Sequence, residues 1–523
     1  MKKTAVIYDK WLSSLGGGEM VACTLANILV KQGYEVTFIC GKRVSSKKIL
    51  NNFKVDLSKV NFVEVWNNDQ LISNITKGKD LFINISFMDY TFAKAKKNIY
   101  YVHFPTKPYD NIKGFIFTYI IIPVVKHVFN IYELISDIDT AETKNKRPAF
   151  RLTKNTRIAY PFLTIGKNYD INISLILENF YKLMLENIKI TFDDAQIIKR
   201  KVYIDHNTNQ VDFNLTIKPQ ARTAYLNISH KIFNNHSFGG DALFMLYPKS
   251  LIAPSGPIYK KLNDYVNSKL RAGIFLNTLT RLEGYNQIVV HSSFVKKWVK
   301  NYWDKDSQVL FPPVDLLHKK YQINKYPKKN IICTVGRFFT LGHGKKQEVM
   351  VRAFKQIYDK GYKDWELHLV GGVGQEPSSR EFVERLVEES NGYPIFFHFN
   401  ASRKEVEEIY LKSKIYWHAA GFGVNKEREP VKLEHFGITV VEALSARCIP
   451  IVYDGGGIKE ILELTSFPLD NSLFISIQGL ISNTIYHINK NQPNIKWKRV
   501  AKVLEDEFSI ESFERKFLKL IKN

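Results

Sequence analysis

The chain has 523 residues, enough for roughly three to four ordinary domains or two large ones. Apolar residues make up 45% of it, which supports a large core and excludes a disordered tail, a collagen or a disulfide mini-protein. Lys and Arg number 75 against 51 Asp and Glu, a net charge of +24, so an anionic partner is expected: nucleic acid, a membrane surface or a phosphorylated substrate.

The chain opens on a short apolar strand, Thr4 to Tyr8, stopped by Asp9 and Lys10. That run is too short for the apolar region of a signal peptide, and a cytoplasmic start is expected. Gly16-Gly17-Gly18-Glu19 follows as a turn. Met20 to Lys31 then places Val21, Leu25, Ile28 and Leu29 at helical spacing, and Glu35 to Cys40 reads as the next strand. Strand, glycine turn, helix and strand open a doubly wound parallel sheet. Cys23, Cys40, Cys333 and Cys448 show no C-x-x-C spacing and read as buried free thiols, with no support for a zinc cluster.

Tyr101-Val102-His103-Phe104-Pro105 ends a later strand, and Gly114 to Val125 is an apolar stretch of 12 residues. A membrane span needs about 20, so this stretch reads as a buried or interfacial helix. Between about 131 and 255 Asn, Ile, Lys and Tyr dominate. Arg200 to Asp205 and Val211 to Ile217 alternate in polarity around Asn-Thr-Asn, as a hairpin does. This region reads as an insertion into the N-terminal domain, 1–320. Asn286 to Phe294 is expected to be a buried strand, Phe311-Pro312-Pro313-Val314-Asp315 a stiff connector, and Tyr321 to Lys329 the linker.

The strand–helix rhythm restarts at Ile331 to Val335 and runs through a second α/β domain, 330–500, before a C-terminal helix, 501–523. Its strands are expected at Glu366 to Val370, Phe396 to Phe399, Ile415 to His418 and Ile449 to Tyr453. The fold class is therefore α/β: two doubly wound Rossmann-like domains facing across a cleft, where ligands bind at the carboxyl ends of the strands.

Four constellations point into that cleft. Gly16 and Gly17 let backbone N–H groups approach an anion at a helix N-terminus, although a tight turn without a ligand has the same sequence. The spacing is neither G-x-G-x-x-G nor a P-loop. Arg337, after a strand, and Lys345 or Lys346, before a helix, offer a flat fork and a point charge to phosphate. Glu434 and Glu442 bracket Phe436-Gly437-Ile438, with Glu434 expected in a loop and Glu442 early in a helix. There Glu442 could grip ribose hydroxyls while N–H groups near Gly437 and Ile438 take phosphate; a helix cap and a surface glutamate would read the same way. His103 suits hydrogen bonding or proton transfer, and equally a satisfied core position.

Taken in order, G-G-G-E, V-H-F-P, F-P-P-V-D, G-R with K-K-Q, L-V-G-G, E-H-F-G-I-T-V-V-E and the triple glycine Gly455 to Gly457 resemble the retaining glycosyltransferases with two Rossmann-like lobes, the GT-B fold. E-H-F-G-I with V-H-F-P is similar to the mannosyltransferases that extend a dolichol-linked oligosaccharide. The resemblance covers about Met1 to His127 and Gln287 to Leu464, not the insertion. It implies a nucleotide-diphosphate sugar as donor, no cofactor, and a saccharide or lipid-linked acceptor. It also implies that Gly16 and Gly17 pack against diphosphate and sugar, Arg337 and Lys345 hold the diphosphate, and Glu434 faces the transferred sugar. Glu442 would bind ribose, Phe436, Gly437 and Ile438 would line the sugar and phosphate site, and His103 would contact sugar hydroxyls.

No D-x-D motif stands where a metal would be needed, so these cations are expected to replace one. A phosphorylase or a sugar-nucleotide epimerase on the same scaffold is the rival enzyme reading. No nucleic-acid motif accompanies the charge, and its preferred use is docking on an anionic membrane that carries the acceptor, at the cytoplasmic face.

Overall fold

The computed structural model describes residues 2–66, 68–106, strand segments and turns within 133–252, residues 281–282, 284–339, 344–374, 376–490 and 495–522. The apolar stretch Gly114 to Val125 lies outside the described residues.

The N-terminal lobe is a seven-stranded parallel sheet. Its order is Gln308–Val309, Gln287–Val290, Lys97–Val102, Leu81–Asn84, Thr4–Tyr8, Glu35–Cys40, Asn61–Glu64. Strands such as Leu81–Asn84 are buried throughout, as a sheet covered on both faces requires. One core contains Val21, Leu25, Ile28 and Leu29 of the helix Gly17–Lys31; the other contains Trp298 and Trp303 of the helix Ser293–Trp303. The first helix begins three residues earlier than its apolar spacing suggests, because the glycines themselves form its first turn. It closes at Gly33, φ +82°, with the Tyr34 N–H returning to the Leu29 carbonyl at 3.0 Å. The expected strand Asn286 to Phe294 stops at Val290. Ser292 caps the following helix by accepting from the Val295 N–H at 3.2 Å.

The C-terminal lobe is a six-stranded parallel sheet in the order Ile395–Phe399, Glu366–Gly371, Lys329–Val335, Ser413–His418, Ile449–Tyr453, Leu473–Phe474. Helices cover both faces here too, over two apolar cores. The core changes hands between Leu310, buried with the first lobe, and Val314, buried with the second. Pro312 and Pro313 stiffen this crossing. The expected linker Tyr321 to Lys329 instead packs on the second lobe through Ile323. The C-terminal segment is two helices, Trp497–Phe508 and Ile510–Lys522, broken at Ser509, whose hydroxyl accepts from the Ser512 N–H at 3.1 Å. The first packs on the C-terminal lobe through Val500 and Leu504. The second returns to the N-terminal lobe through Phe513 and Phe517, strapping the two together.

The insertion is an antiparallel sandwich. A four-stranded sheet faces a larger one across a shared core of Ile158, Ile190, Ile228, Ile173, Phe213 and Leu215. The hairpin read from the sequence is there, as Ala195–Asp205 paired with Gln210–Pro219. Arg157, 1% exposed, ties the sandwich to the lobe by donating to Ser73 at 3.1 Å and Asn74 at 3.3 Å, and Asp193 of its own sheet braces it at 3.0 Å.

Candidate functional site in the cleft between the lobes

On the N-terminal side the strand Thr4–Tyr8 delivers Asp9, and a short turn at Leu12–Ser14 leads to the helix Gly17–Lys31. Gly16 is its cap; its N–H donates to Glu19 Oε2 at 2.6 Å. The glycines are dictated by close approach. A Cβ on Gly17 would lie 2.7 Å from Ile438 Cδ1 of the opposite lobe, and one on Gly18 would lie 2.8 Å from His103 Cε1. The positive end of this helix therefore faces the cleft at backbone distance.

On the C-terminal side the strand Lys329–Val335 delivers Gly336 and Arg337. Gly371 must lack a side chain, because its Cβ would fall 2.0 Å from the Gly336 carbonyl oxygen. Gln347, 2% exposed, donates to the Arg337 carbonyl at 3.1 Å and fixes this turn. Lys345 lies along Gly336 and ends 2.5 Å from Glu434 Oε2. Lys346 is the left-handed N-cap of the helix Gln347–Asp359, φ +59°, and does not line the cleft. That geometry separates the two lysines where the sequence leaves them equivalent.

Glu434 is in a loop, as its spacing suggests. Gly457 N–H donates to its carbonyl at 2.8 Å, and the triple glycine lets the two backbones touch. His418 Nε2 reaches Glu434 Oε2 at 3.1 Å. Burial works to raise the Glu434 carboxyl, but Lys345 and His418 outweigh it and hold it well below the usual range. Gly437, φ +107°, caps the helix Ile438–Ser445. Glu442 sits on that helix and is 6% exposed. Its Oε1 accepts from Arg403 Nη1 at 2.6 Å and its Oε2 from the Tyr410 hydroxyl at 3.2 Å.

The floor of the cleft is built of imidazoles. His103 and His291 lie 5.6 Å apart, centre to centre, and His435 is 6.1 Å from His291. Burial pushes His103 down to about 4, against a backbone hydrogen bond with Ile85. Burial and the neighbouring His103 push His291 down to about 3. Both are neutral near pH 7 and offer hydrogen bonds rather than charge. The lobes also touch directly: Ser292 donates to the His435 carbonyl at 2.6 Å, and Phe104 stacks on the His435 ring at 4.6 Å.

A cavity of about 850 Å³ joins these pieces. Gly16, Gly17, His103, Arg337, Lys345, Glu434, Phe436, Gly437, Ile438 and Glu442 all line it; Lys346 does not. Sequence reasoning missed Asp9, His291, His418 and Arg403. Asp9, His291 and His418 stand at or just beyond strand ends, the signal that singled out His103. Arg403 carries no local signal, since it meets Glu442 only through the fold.

Two parallel-sheet lobes facing across a cleft of this lining define the two-Rossmann-lobe, GT-B class. The model of the family described as "Glycosyl transferases group 1" matches residues 318–471, a stretch of the C-terminal lobe. The chain is 24% identical over 252 residues to a GDP-Man:Man(3)GlcNAc(2)-PP-Dol alpha-1,2-mannosyltransferase of Dictyostelium discoideum, covering 45% of this chain and 46% of that protein. It is 28% identical over 162 residues to the protein of the same name from Neurospora crassa, covering 29% of this chain and 27% of that one. The chain thus spans less than half the length of these curated relatives. A glycosyltransferase structure from Rickettsia africae superposes with a TM-score of 0.51 at 13% identity, covering 100% of this chain and 98% of that one, which supports the fold. Among the described residues no helix is long and apolar enough to cross a membrane.

Proposed function

We propose that the protein is a retaining hexosyltransferase that moves a sugar from a nucleotide-diphosphate donor to a saccharide or lipid-linked acceptor, without a metal. The observation that carries this reading is the convergence of Arg337, Lys345, Glu434 and Glu442 on one cavity, opposite the glycine end of the helix Gly17–Lys31. Arg337 and Lys345 neutralise the charge that grows on the departing diphosphate, and the N-terminus of the helix Ile438–Ser445 adds its dipole. Glu442, already holding Arg403, offers a carboxylate to the ribose hydroxyls. Glu434 faces the sugar, and neutral His103 bonds its hydroxyls.

In the proposed step the acceptor hydroxyl oxygen bonds to the anomeric carbon on the face from which the diphosphate leaves. The acceptor's proton passes to the leaving diphosphate oxygen, so configuration is retained. The names of the two curated relatives favour a mannosyl donor and a lipid-linked acceptor. The surplus of positive charge favours an anionic membrane as the place where such an acceptor is met.

The test is incubation with a panel of nucleotide sugars while free nucleoside diphosphate is measured. Release without added inorganic phosphate supports a transferase, and strict dependence on phosphate would favour a phosphorylase. Proton NMR of the new linkage reads the anomer. An inverted product, or loss of turnover on chelation, would overturn that part of the reading.

A further inference from the structure

Two tryptophans stand together at the N-terminal rim of the cleft. Trp11 is 41% exposed and Trp66 57% exposed. Large exposed rings on one rim mark a contact surface rather than core. Both are held in place. Their centres are 5.8 Å apart, edge to face, and Lys10 Nζ lies 5.5 Å from one and 5.0 Å from the other. Lys10 is fixed by Asp89 at 3.0 Å. The Trp11 indole N–H donates to the Phe87 carbonyl at 3.3 Å. Trp66 lies against Gly41, where a Cβ would come within 2.5 Å of its ring. The platform is therefore preorganised, which lowers the ordering cost of a ligand.

Asp9 lies beside it. The side chain is buried, 2% exposed, and lines the same cavity as Trp11. Its Oδ1 accepts from the Trp11 N–H at 3.0 Å, while Oδ2 has no partner among the described residues. A buried polar atom left unpaired carries a cost that a bound hydroxyl would relieve. Burial and the neighbouring Glu19 favour the uncharged form of Asp9, so this end offers hydrogen bonds where the opposite end offers the cations Arg337 and Lys345.

We propose that Trp11, Trp66 and Asp9 form a subsite for a neutral saccharide, the acceptor's hexopyranose. A pyranose presents a flat C–H face to an indole and hydroxyls at its edge. One such hydroxyl pairs with Asp9 Oδ2, and the chain of sugars continues outward across Trp66. The word acceptor rests on the transferase reading above; binding does not.

The test is saturation-transfer NMR on the full chain with methyl α-hexopyranosides of gluco, manno and galacto configuration and their disaccharides. Nucleoside diphosphate binding is measured in parallel by calorimetry. The expected result is saturation transfer to at least one glycoside, weakened about tenfold or more in Trp11→Ala and in Asp9→Asn, with disaccharides alone losing affinity in Trp66→Ala. Nucleotide affinity stays within about twofold in all three, because Arg337, Lys345 and Glu442 of the other lobe carry it and Gly16 and Gly17 contribute only backbone. Should Trp11→Ala fail to fold, Trp66→Ala and Asp9→Asn decide. Absence of transfer to every glycoside, or unchanged binding in the folded variants, overturns the subsite. Failure of every nucleoside diphosphate to bind would sink the transferase reading, while the glycoside result still decides the platform.

Discussion

Lys345 Nζ and Glu434 Oε2 meet at 2.5 Å at the C-terminal side of the cleft, and His418 shares that oxygen at 3.1 Å. The lysine that would meet the donor's diphosphate is already paired with the carboxylate that would face its sugar. Phosphate, with more charge, competes for the same ammonium. Arg337 has no ion pair among the described residues; its guanidinium lies 5.3 Å over the Phe339 ring. The two cations should therefore respond differently to substitution. Arg337→Ala removes a charge that waits for the diphosphate, and turnover at saturating donor should fall about 10²-fold or more. Lys345→Ala should match that loss and also release Glu434 from its strongest partner. Single-turnover rates for both variants, with melting curves to establish folding, check this; near-normal rates in both would refute the assignment.

Glu442 has two duties. Beyond any ribose contact, it is the buried partner of Arg403 and Tyr410. Arg403 in turn holds Glu407, which binds Lys320. Breaking a buried ion pair costs roughly 3–5 kcal/mol, and the low end applies because the Arg403 side chain is 28% exposed. Glu442→Ala should thus lower stability as well as donor affinity. Glu442→Gln keeps the shape and one acceptor, and should lose less stability than Glu442→Ala. Denaturant melts beside donor titrations separate the two effects.

How much of this was legible in the sequence depends on how local each cause is. Glu35 to Cys40 and Ile449 to Tyr453 are bounded in the structure as their sequence reads, because a parallel strand writes a short, largely apolar run between turn signals. Gly16, Gly17, Arg337, Gly437 and Ile438 are legible because each follows a strand end or opens a helix. The pairing of Arg403 with Glu442 was not, since 39 positions separate them and only packing joins them. Nor could sequence choose between Lys345 and Lys346; the left-handed cap at Lys346 decides which side chain turns inward. Tyr321 to Lys329 reads as a linker because it is polar, yet Ile323, with Tyr321 and Tyr326, anchors it on the second lobe.

Gly456 is where backbone packing controls the site. It adopts φ +78°, and a Cβ would lie 1.9 Å from the Glu434 carbonyl oxygen. Gly456→Ala cannot be absorbed by a rotamer; the loop carrying Glu434 has to move. A loss of a few kcal/mol in stability, or a folded protein with little turnover, is expected. Gly361→Ala is the control. Its φ is +104° but no atom lies within 4 Å, so only the backbone strain of about 1–3 kcal/mol is felt, with turnover intact.

The imidazoles of the cleft floor give the protein a pH signature. His103 titrates at about 4 and His291 at about 3, against 6.5 in the unfolded chain. Burial is the first cause in both. Below pH 6.5 the unfolded chain takes up protons that the folded state refuses, so stability falls as pH falls. The loss runs from pH 6.5 down to about 4 for His103 and about 3 for His291. Each pH unit in that window costs about 1.4 kcal/mol per histidine, and less for His103, which is partly open to the cleft. Asp9 acts in the opposite sense, since burial and the charge of Glu19 raise it: its contribution falls as pH rises from 3.8. The measurement is therefore a difference. Unfolding free energies of the wild type and His291→Gln, taken between pH 7 and 5, should diverge in slope, the variant being the flatter. Parallel slopes would mean that folded His291 takes up its proton near 6.5 as the unfolded chain does, and the floor of the cleft would then turn cationic below that pH.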